Sequence, residues 1–261
     1  MKDFDKYYDF IKDEESKNIV RKIADKAFYV NKHYTSAVTE FTNPFIAELC
    51  KPIIKNNDIK FELFPSFEHG ERKVFILYPD YLEGIDEDEL ITGLRIYNKS
   101  KFKKLNHKDY LGSLMSLGID RNKIGDIYVY DDYADIILHS DISDYIMFNL
   151  DKIGHNKIEV EKIKVDEVHF KEQEHVVLNI TCSSMRIDNV VKNIINKSRD
   201  LAADLIKSGN VKVNWQVEDR VANEIKESDM ISISKYGRFK VSNLSGLTKS
   251  GRYKVEIKHY T

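Results

Sequence analysis

The stretch that most constrains this chain is MRIDNVVKNIINKSRDLAADLIKSGNVKVNW, from Met185 to Trp215. Ile187, Val190, Val191, Ile194 and Ile195 recur at i, i+3, i+4, i+7 and i+8, which places one apolar stripe on a short helix. Asp188, Asn189, Lys192 and Asn193 are expected on its other side. Lys197-Ser198 breaks the period, and Ser198 is a suitable N-cap for a second helix. That helix turns Leu201, Ala202, Leu205 and Ile206 inward and stops at Gly209, the residue type favoured just past a helix C-terminus. Val211 and Val213 then alternate with Lys212 and Asn214, as in a half-buried strand. A hairpin follows, with Met230 to Ser234, a turn at Tyr236-Gly237, and Arg238 to Ser242. Two short helices on a small sheet, edged with basic and hydroxyl side chains, suit a phosphate backbone laid across them.

Charge agrees in direction. Residues 183–261 hold 15 Lys+Arg against 9 Asp+Glu, whereas the rest of the chain holds 26 against 34. A basic C-terminal part on an acidic body implies one end that faces a polyanion, although a balance of +6 is modest and supports the reading only alongside the pattern.

Arg186-x-Asp188, Ser198-Arg199, Leu205-Ile206, Gly209 and Val211-x-Val213-Asn214 together resemble the S4 (αL-motif) RNA-binding domain. That resemblance implies a module that grips structured RNA with two helices and the adjoining strand. Further segments resemble the YlmH family of S4-domain proteins. They are TEFTNPFIAEL (39–49), GERKVFILYP (70–79), HKDYLGSLMSLGIDRNKIGDIYV (107–129) and ISISKYGRFKVSNLSGLTKSGRYKVEI (231–257). The chain departs from that family where Ser234-Lys235 stands in place of an Arg-Gly pair.

The remaining elements follow from periodicity. Ile19, Val20, Ile23, Ala24, Ala27 and Phe28 form a helical stripe after Ser16, and Asn43-Pro44 opens a second helix running to about Lys55. Phe61 to Phe67 is expected to be a strand. From Arg72 to Val165 strands and helices interleave: strands at 74–78, 94–97, 127–130, 134–139 and 158–163, and helices at 86–91, 107–117 and 142–153. In the helix from His107, Tyr110, Leu111, Leu114 and Met115 are expected to face inward. The class is α+β, with four parts: an N-terminal domain (1–70), a ferredoxin-like or RRM-like middle domain (71–165), a linker strand (166–182) and the S4 domain (183–261). YVYDDYADI is acidic where an RRM's base-stacking strand is basic, so single-strand RNA binding is not assigned to the middle domain.

Arg186, Lys197, Ser198, Arg199, Lys207, Lys212, Lys235, Arg238 and Lys240 are the candidate RNA-contacting residues, with Lys249 and Arg252 as extensions. A carboxylate repels phosphate, so Asp188 is expected to orient a basic neighbour or to support the first helix. Trp215 and Tyr236 are candidates for base stacking, although Trp215 is expected instead to cap the small core. Catalysis finds little support. The eight histidines lack ligand spacing such as HExxH, Cys50 and Cys182 suggest neither a disulfide framework nor a metal cluster, and Gly-rich phosphate loops are missing. No cofactor or metal is expected. The charged N-terminus is unlike a signal peptide and no apolar run approaches membrane-spanning length, which indicates a cytoplasmic protein.

The family resemblance implies a non-enzymatic, monomeric factor. It would bind rRNA of the large ribosomal subunit, with tRNA as a further partner, in quality control of stalled translation. Two other readings stand beside this one. An S4-targeted RNA-modifying enzyme such as a pseudouridine synthase needs a GRLDxxT-like loop, and none occurs before Cys182. A cell-division adaptor would bind RNA only incidentally.

Overall fold

The computed structural model describes residues 11, 13–57, 59–65, 70–82, 86–100, 103–171 and 174–260. They divide into two compact units, essentially residues 15–172 and 173–261.

The first unit opens with α1 (Glu14–His33), which buries Val20, Ile23, Ala24, Ala27 and Val30. Phe28, assigned to the stripe from sequence, is instead 55 % exposed. At 100° per residue it lies beyond Ala24, on the edge away from Ile23 and Val30. A short β1 (Ala37–Val38) leads to α2 (Pro44–Lys55). Asn43 caps α2 as its side chain accepts from the Ile46 N–H at 3.0 Å. β2 (Lys60–Phe64) and β3 (Val74–Tyr78) complete a three-stranded antiparallel sheet ordered β1-β3-β2. The expected strand over Phe61 to Phe67 thus ends at Phe64, and residues 66–67 lie outside the described ones. Val74–Tyr78, attributed from sequence to the middle domain, is the central strand of this first sheet. All five of its residues are buried, as a strand covered on both faces requires.

The second layer of this unit follows: α3 (Glu87–Leu90), β4 (Ile91–Asn98), α4 (His107–Ser116), β5 (Ile124–Val129), β6 (Tyr133–His139), α5 (Ser143–Asn149), β7 (Lys152–Ile153) and β8 (Asn156–Ile163). Its sheet is ordered β5-β6-β4-β8-β7 and every pairing is antiparallel. Without β7 this is the split βαβ arrangement of ferredoxin-like folds. Tyr110 and Leu114 of α4 and Ile146 of α5 pack on Leu94, Ile96, Ala134, Ile136 and Leu138. Met115, expected inside, is 41 % exposed. The helix expected over 142–153 stops at Asn149, because Lys152–Ile153 folds back through Gly154 (φ +59°) to pair with β8.

The second unit contains β9 (His175–Cys182), α6 (Ile187–Ile195), α7 (Arg199–Lys207), β10 (Val211–Val213), β11 (Gln216–Val217), β12 (Met230–Ile233), β13 (Gly237–Leu247) and β14 (Tyr253–Tyr260). Its sheet runs β11-β10-β12-β13-β14-β9. The strand read as a linker is therefore part of this sheet: β9 pairs with β14 along its whole length, from His175↔Tyr260 to Cys182↔Tyr253. Leu178, Ile180, Val241, Val255 and Ile257 face one core with the apolar stripes of α6 and α7.

Candidate nucleic-acid interface

The site is built where α6 meets α7. Ile187, Val190, Val191, Ile194 and Ile195 are buried, as the periodicity requires. Asn196 takes a left-handed conformation (φ +51°) and turns the chain, and Ser198 caps α7 by accepting from the Leu201 N–H at 3.2 Å. Gly209 (φ +73°) follows the helix end, a conformation that favours glycine.

Asp188 and Asn189 are buried, contrary to their expected place on the polar side of α6. The loop around residues 221–223 covers this helix start, with the Ile187 N–H donating to the Asn223 carbonyl at 2.8 Å. Asn189 is satisfied by the Ser184 carbonyl at 2.8 Å. Asp188 is satisfied by two arginines. Arg186 donates from Nε (3.3 Å) and Nη2 (3.1 Å), and Arg199 donates from Nε (3.0 Å) and Nη2 (2.8 Å). Burial alone would push the Asp188 carboxyl up, but these hydrogen bonds outweigh it and hold it below the ordinary carboxylate range. The carboxylate side chain is 5 % exposed, whereas those of Arg186 and Arg199 are 40 % and 55 % exposed. One buried acid thus fixes two guanidinium planes at the surface, with a net charge of +1 and the Nη1 groups unpaired among the described residues. Such a fork is preorganised for phosphate oxygens.

Lys197 and Ser198 adjoin this pair, and Lys197 is exposed. The Ser198 oxygen is engaged as a cap, which leaves its O–H to donate. Lys207 is exposed at the far end of α7, roughly 12 Å along the axis from Arg199, so it belongs to a separate part of the surface.

The remaining candidates lie elsewhere. Val211, Val213, Phe239 and Val241 face the helices, so Lys212, Arg238 and Lys240 are on the opposite face of the sheet. Lys254 and Lys258 share that face, and Lys258 pairs directly across from Lys240. The alternation in Tyr253–Tyr260 carried the signal for these two lysines, which the sequence reading did not select. Lys235 occupies the β12–β13 turn at φ +70°. Arg252 donates to the Thr181 carbonyl at 3.2 Å, and Lys249 is exposed in the β13–β14 turn. Tyr236 packs on the core, whereas Trp215 is only half-buried, at φ +66° beside Asn214 (φ +49°) in the two-residue β10–β11 turn. This reverses the expectation that Trp215 caps the core.

On the middle domain, Tyr97 and Tyr133 are cross-strand partners on β4 and β6, where RRM-type modules stack bases. The chain's own segment 164–171 lies on this face. Arg95 pairs with Asp135 (2.7 Å) and donates to the Glu167 carbonyl (3.0 Å). Asp135 also accepts from the His169 N–H (2.7 Å), and the Tyr133 hydroxyl meets His169 Nδ1 (2.6 Å). Phe170 packs edge-on against Tyr128.

Burial pushes the Cys50 thiol up to about 12 and raises that of Cys182, so neither is activated as a nucleophile. Among the described residues, no three His, Cys, Asp or Glu side chains converge on a metal site, and no helix is long and apolar enough to cross a membrane.

Comparison with known proteins adds family and fold. The family described as "Putative RNA-binding domain in YlmH" matches residues 86–167, and the S4 domain matches residues 185–231. The chain is 28 % identical over 242 residues to "Ribosome-associated protein quality control protein P2" of Bacillus subtilis, covering 93 % of each sequence. It also superimposes on the solved "Cell division protein ylmH from Streptococcus pneumoniae" with a TM-score of 0.51 and 23 % identity. That superposition covers 60 % of this chain and 96 % of the solved one, and it bears on the fold alone.

Proposed function

Because the chain belongs to the YlmH family of S4-domain proteins, we propose that it binds RNA in ribosome-associated quality control. The observation that carries this reading is the arginine pair organised by Asp188 at the start of α6 and α7. A catalytic arginine would need a reacting partner nearby. Here two exposed guanidiniums are oriented by a buried acid that cannot itself approach phosphate.

In this reading the protein is a cytoplasmic monomer that acts by binding. Its S4 domain holds structured rRNA of the large subunit by shape and backbone, and contact with peptidyl-tRNA on obstructed subunits keeps the stalled nascent chain in place. Arg186, Arg199, Lys197 and Ser198 form the principal contact. Lys207 extends it along α7, and Lys212, Lys235, Arg238 and Lys240 serve RNA that reaches the hairpin and the far face of the sheet.

Sucrose-gradient sedimentation of cell lysate tests the reading, with the wild type compared against Arg186→Ala/Arg199→Ala. Co-migration of the wild type with free large subunits, lost in the double variant, is the expected result. If both proteins remain at the top of the gradient, the reading fails.

A further inference from the structure

On the middle domain, the sheet face used by RRM modules is occupied by segment 164–171, so any RNA contact there must use another surface. The basic stretch from Lys99 to Lys108 supplies one. Its described part is fastened to the β7–β8 hairpin by buried Asn156, whose amide donates to the Asn98 side chain at 3.1 Å and to the Lys103 carbonyl at 2.7 Å. The Lys99 N–H donates to the Lys157 carbonyl (3.0 Å), and the Lys157 N–H to the Ser100 hydroxyl (3.2 Å). The described part of the loop and the hairpin therefore form one joined edge. Between that edge and α4 lies a shallow groove of about 370 Å³, lined by Lys103, Lys108, Ser113 and Gly154 among others.

The charges on this edge are unbalanced. Lys152 and Lys157 are direct cross-strand partners, an arrangement that costs the fold energy through like-charge repulsion. Both are exposed, as are Lys103 and Lys108. None of the four has an acidic partner among the described residues. Of the neighbouring acids, Glu159 pairs with Lys99 and Asp131 with Lys104, Asp109 lines the groove and accepts from the Asn106 N–H at 2.9 Å, and exposed Asp151 precedes Lys152, so the basic side chains still outnumber the acids. The α4 wall of the groove offers the Ser113 hydroxyl. A polyanion would relieve the repulsion and fill the groove.

We propose that this edge of the middle domain binds an RNA phosphodiester backbone through Lys103, Lys108, Lys152 and Lys157, as a second grip separate from the S4 domain. The inference rests on the proposed function. The two can fail independently.

The test is fluorescence anisotropy of the full-length protein with a fluorescein-labelled RNA stem-loop carrying a single-stranded tail, over a salt series. The variants are the quadruple Lys103→Ala/Lys108→Ala/Lys152→Ala/Lys157→Ala, its all-arginine counterpart, and Arg186→Ala/Arg199→Ala. All four lysines are exposed, so unfolding is not expected, and thermal melting checks this. The alanine quadruple should lose about tenfold in affinity, and the slope of log K on log salt should become shallower by about 3 to 3.5, as each of the four lost phosphate contacts removes about 0.7 to 0.9. The arginine quadruple should bind like the wild type. Unchanged affinity and slope in the alanine quadruple, with binding lost in the S4 variant, would overturn the second grip and leave the proposed function standing. An edge that serves an acidic protein partner would give that same result. No RNA binding by the wild type would overturn both.

Discussion

The two units use the same chemistry, an aspartate receiving arginine forks, for opposite ends. In the first unit Asp135 and Arg95 are nearly enclosed, with side chains 0 % and 15 % exposed. The carboxylate also takes a backbone N–H from the segment that crosses the sheet. Arg95 Nε and Nη2 are both spent on partners within the fold, and the pair acts as a clasp. In the second unit Asp188 is equally enclosed, but its two arginines lie largely in solvent. An aspartate that receives only one side of each guanidinium leaves the other side to a ligand. Burial of the arginine, rather than the ion pair itself, separates a structural site from a binding site.

Breaking the clasp should have the largest effect. Asp135→Ala strands Arg95 and the His169 N–H in a half-buried setting. It should cost about 3–5 kcal/mol, the usual consequence of removing one partner from a buried pair, read by urea denaturation. RNA affinity measured where the protein is still folded should not change.

The next largest effect sharpens the contrast through pH, because the first unit also buries groups that titrate against one another. Burial lowers His139 to about 4, so its contribution to stability is full above its unfolded value of about 6.5 and is lost as pH falls towards 4. Burial raises Asp126 to about 6, which acts in the opposite sense over nearly the same window, since the folded state takes up that proton first. The wild-type curve should therefore be flat between pH 6.5 and 4. Asp126→Asn keeps an acceptor for the Arg72 N–H but removes the offset, and should expose a loss of up to about 3 kcal/mol by the usual conversion from pKa shift. In the S4 unit the depressed Asp188 contributes stability above the ordinary carboxylate pKa and loses it only as pH falls below that value. The two units should thus respond to acid in different ranges.

A smaller effect is expected for Arg199→Ala. Affinity for ribosomal RNA should fall about tenfold, the scale of one charge-assisted contact, and filter binding reads this directly. The smallest concerns Lys235, held at φ +70° where glycine carries no steric penalty. Lys235→Gly should stabilise the S4 unit by about 0.5 kcal/mol and leave sedimentation with ribosomal subunits nearly unchanged.

The sequence was most readable where structure is local. The stripe of α6, the caps at Asn43 and Ser198, and the left-handed Gly209 each depend on neighbours within one turn. Strand allegiance was not readable. β3 was grouped with the middle domain although it pairs with β1 and β2, and β9 was read as a linker because its partner β14 lies some eighty residues away. Asp188 was correctly expected to orient a basic neighbour, yet its burial was missed, since the covering loop at 221–223 has no periodicity to announce it. The clasp was missed for the same reason: Arg95, Asp135 and His169 meet only when β4, β6 and the exit segment are in place.

The central claim is tested most directly by measuring thermal stability and RNA affinity side by side for Arg95→Ala and Arg199→Ala. The account predicts a crossed result. Arg95→Ala should melt several degrees lower with affinity intact, and Arg199→Ala, which leaves Asp188 the Arg186 fork, should melt closer to the wild type with affinity reduced. If Arg199→Ala loses stability and keeps its affinity, the arginine pair on Asp188 is a second clasp and the RNA grip lies elsewhere.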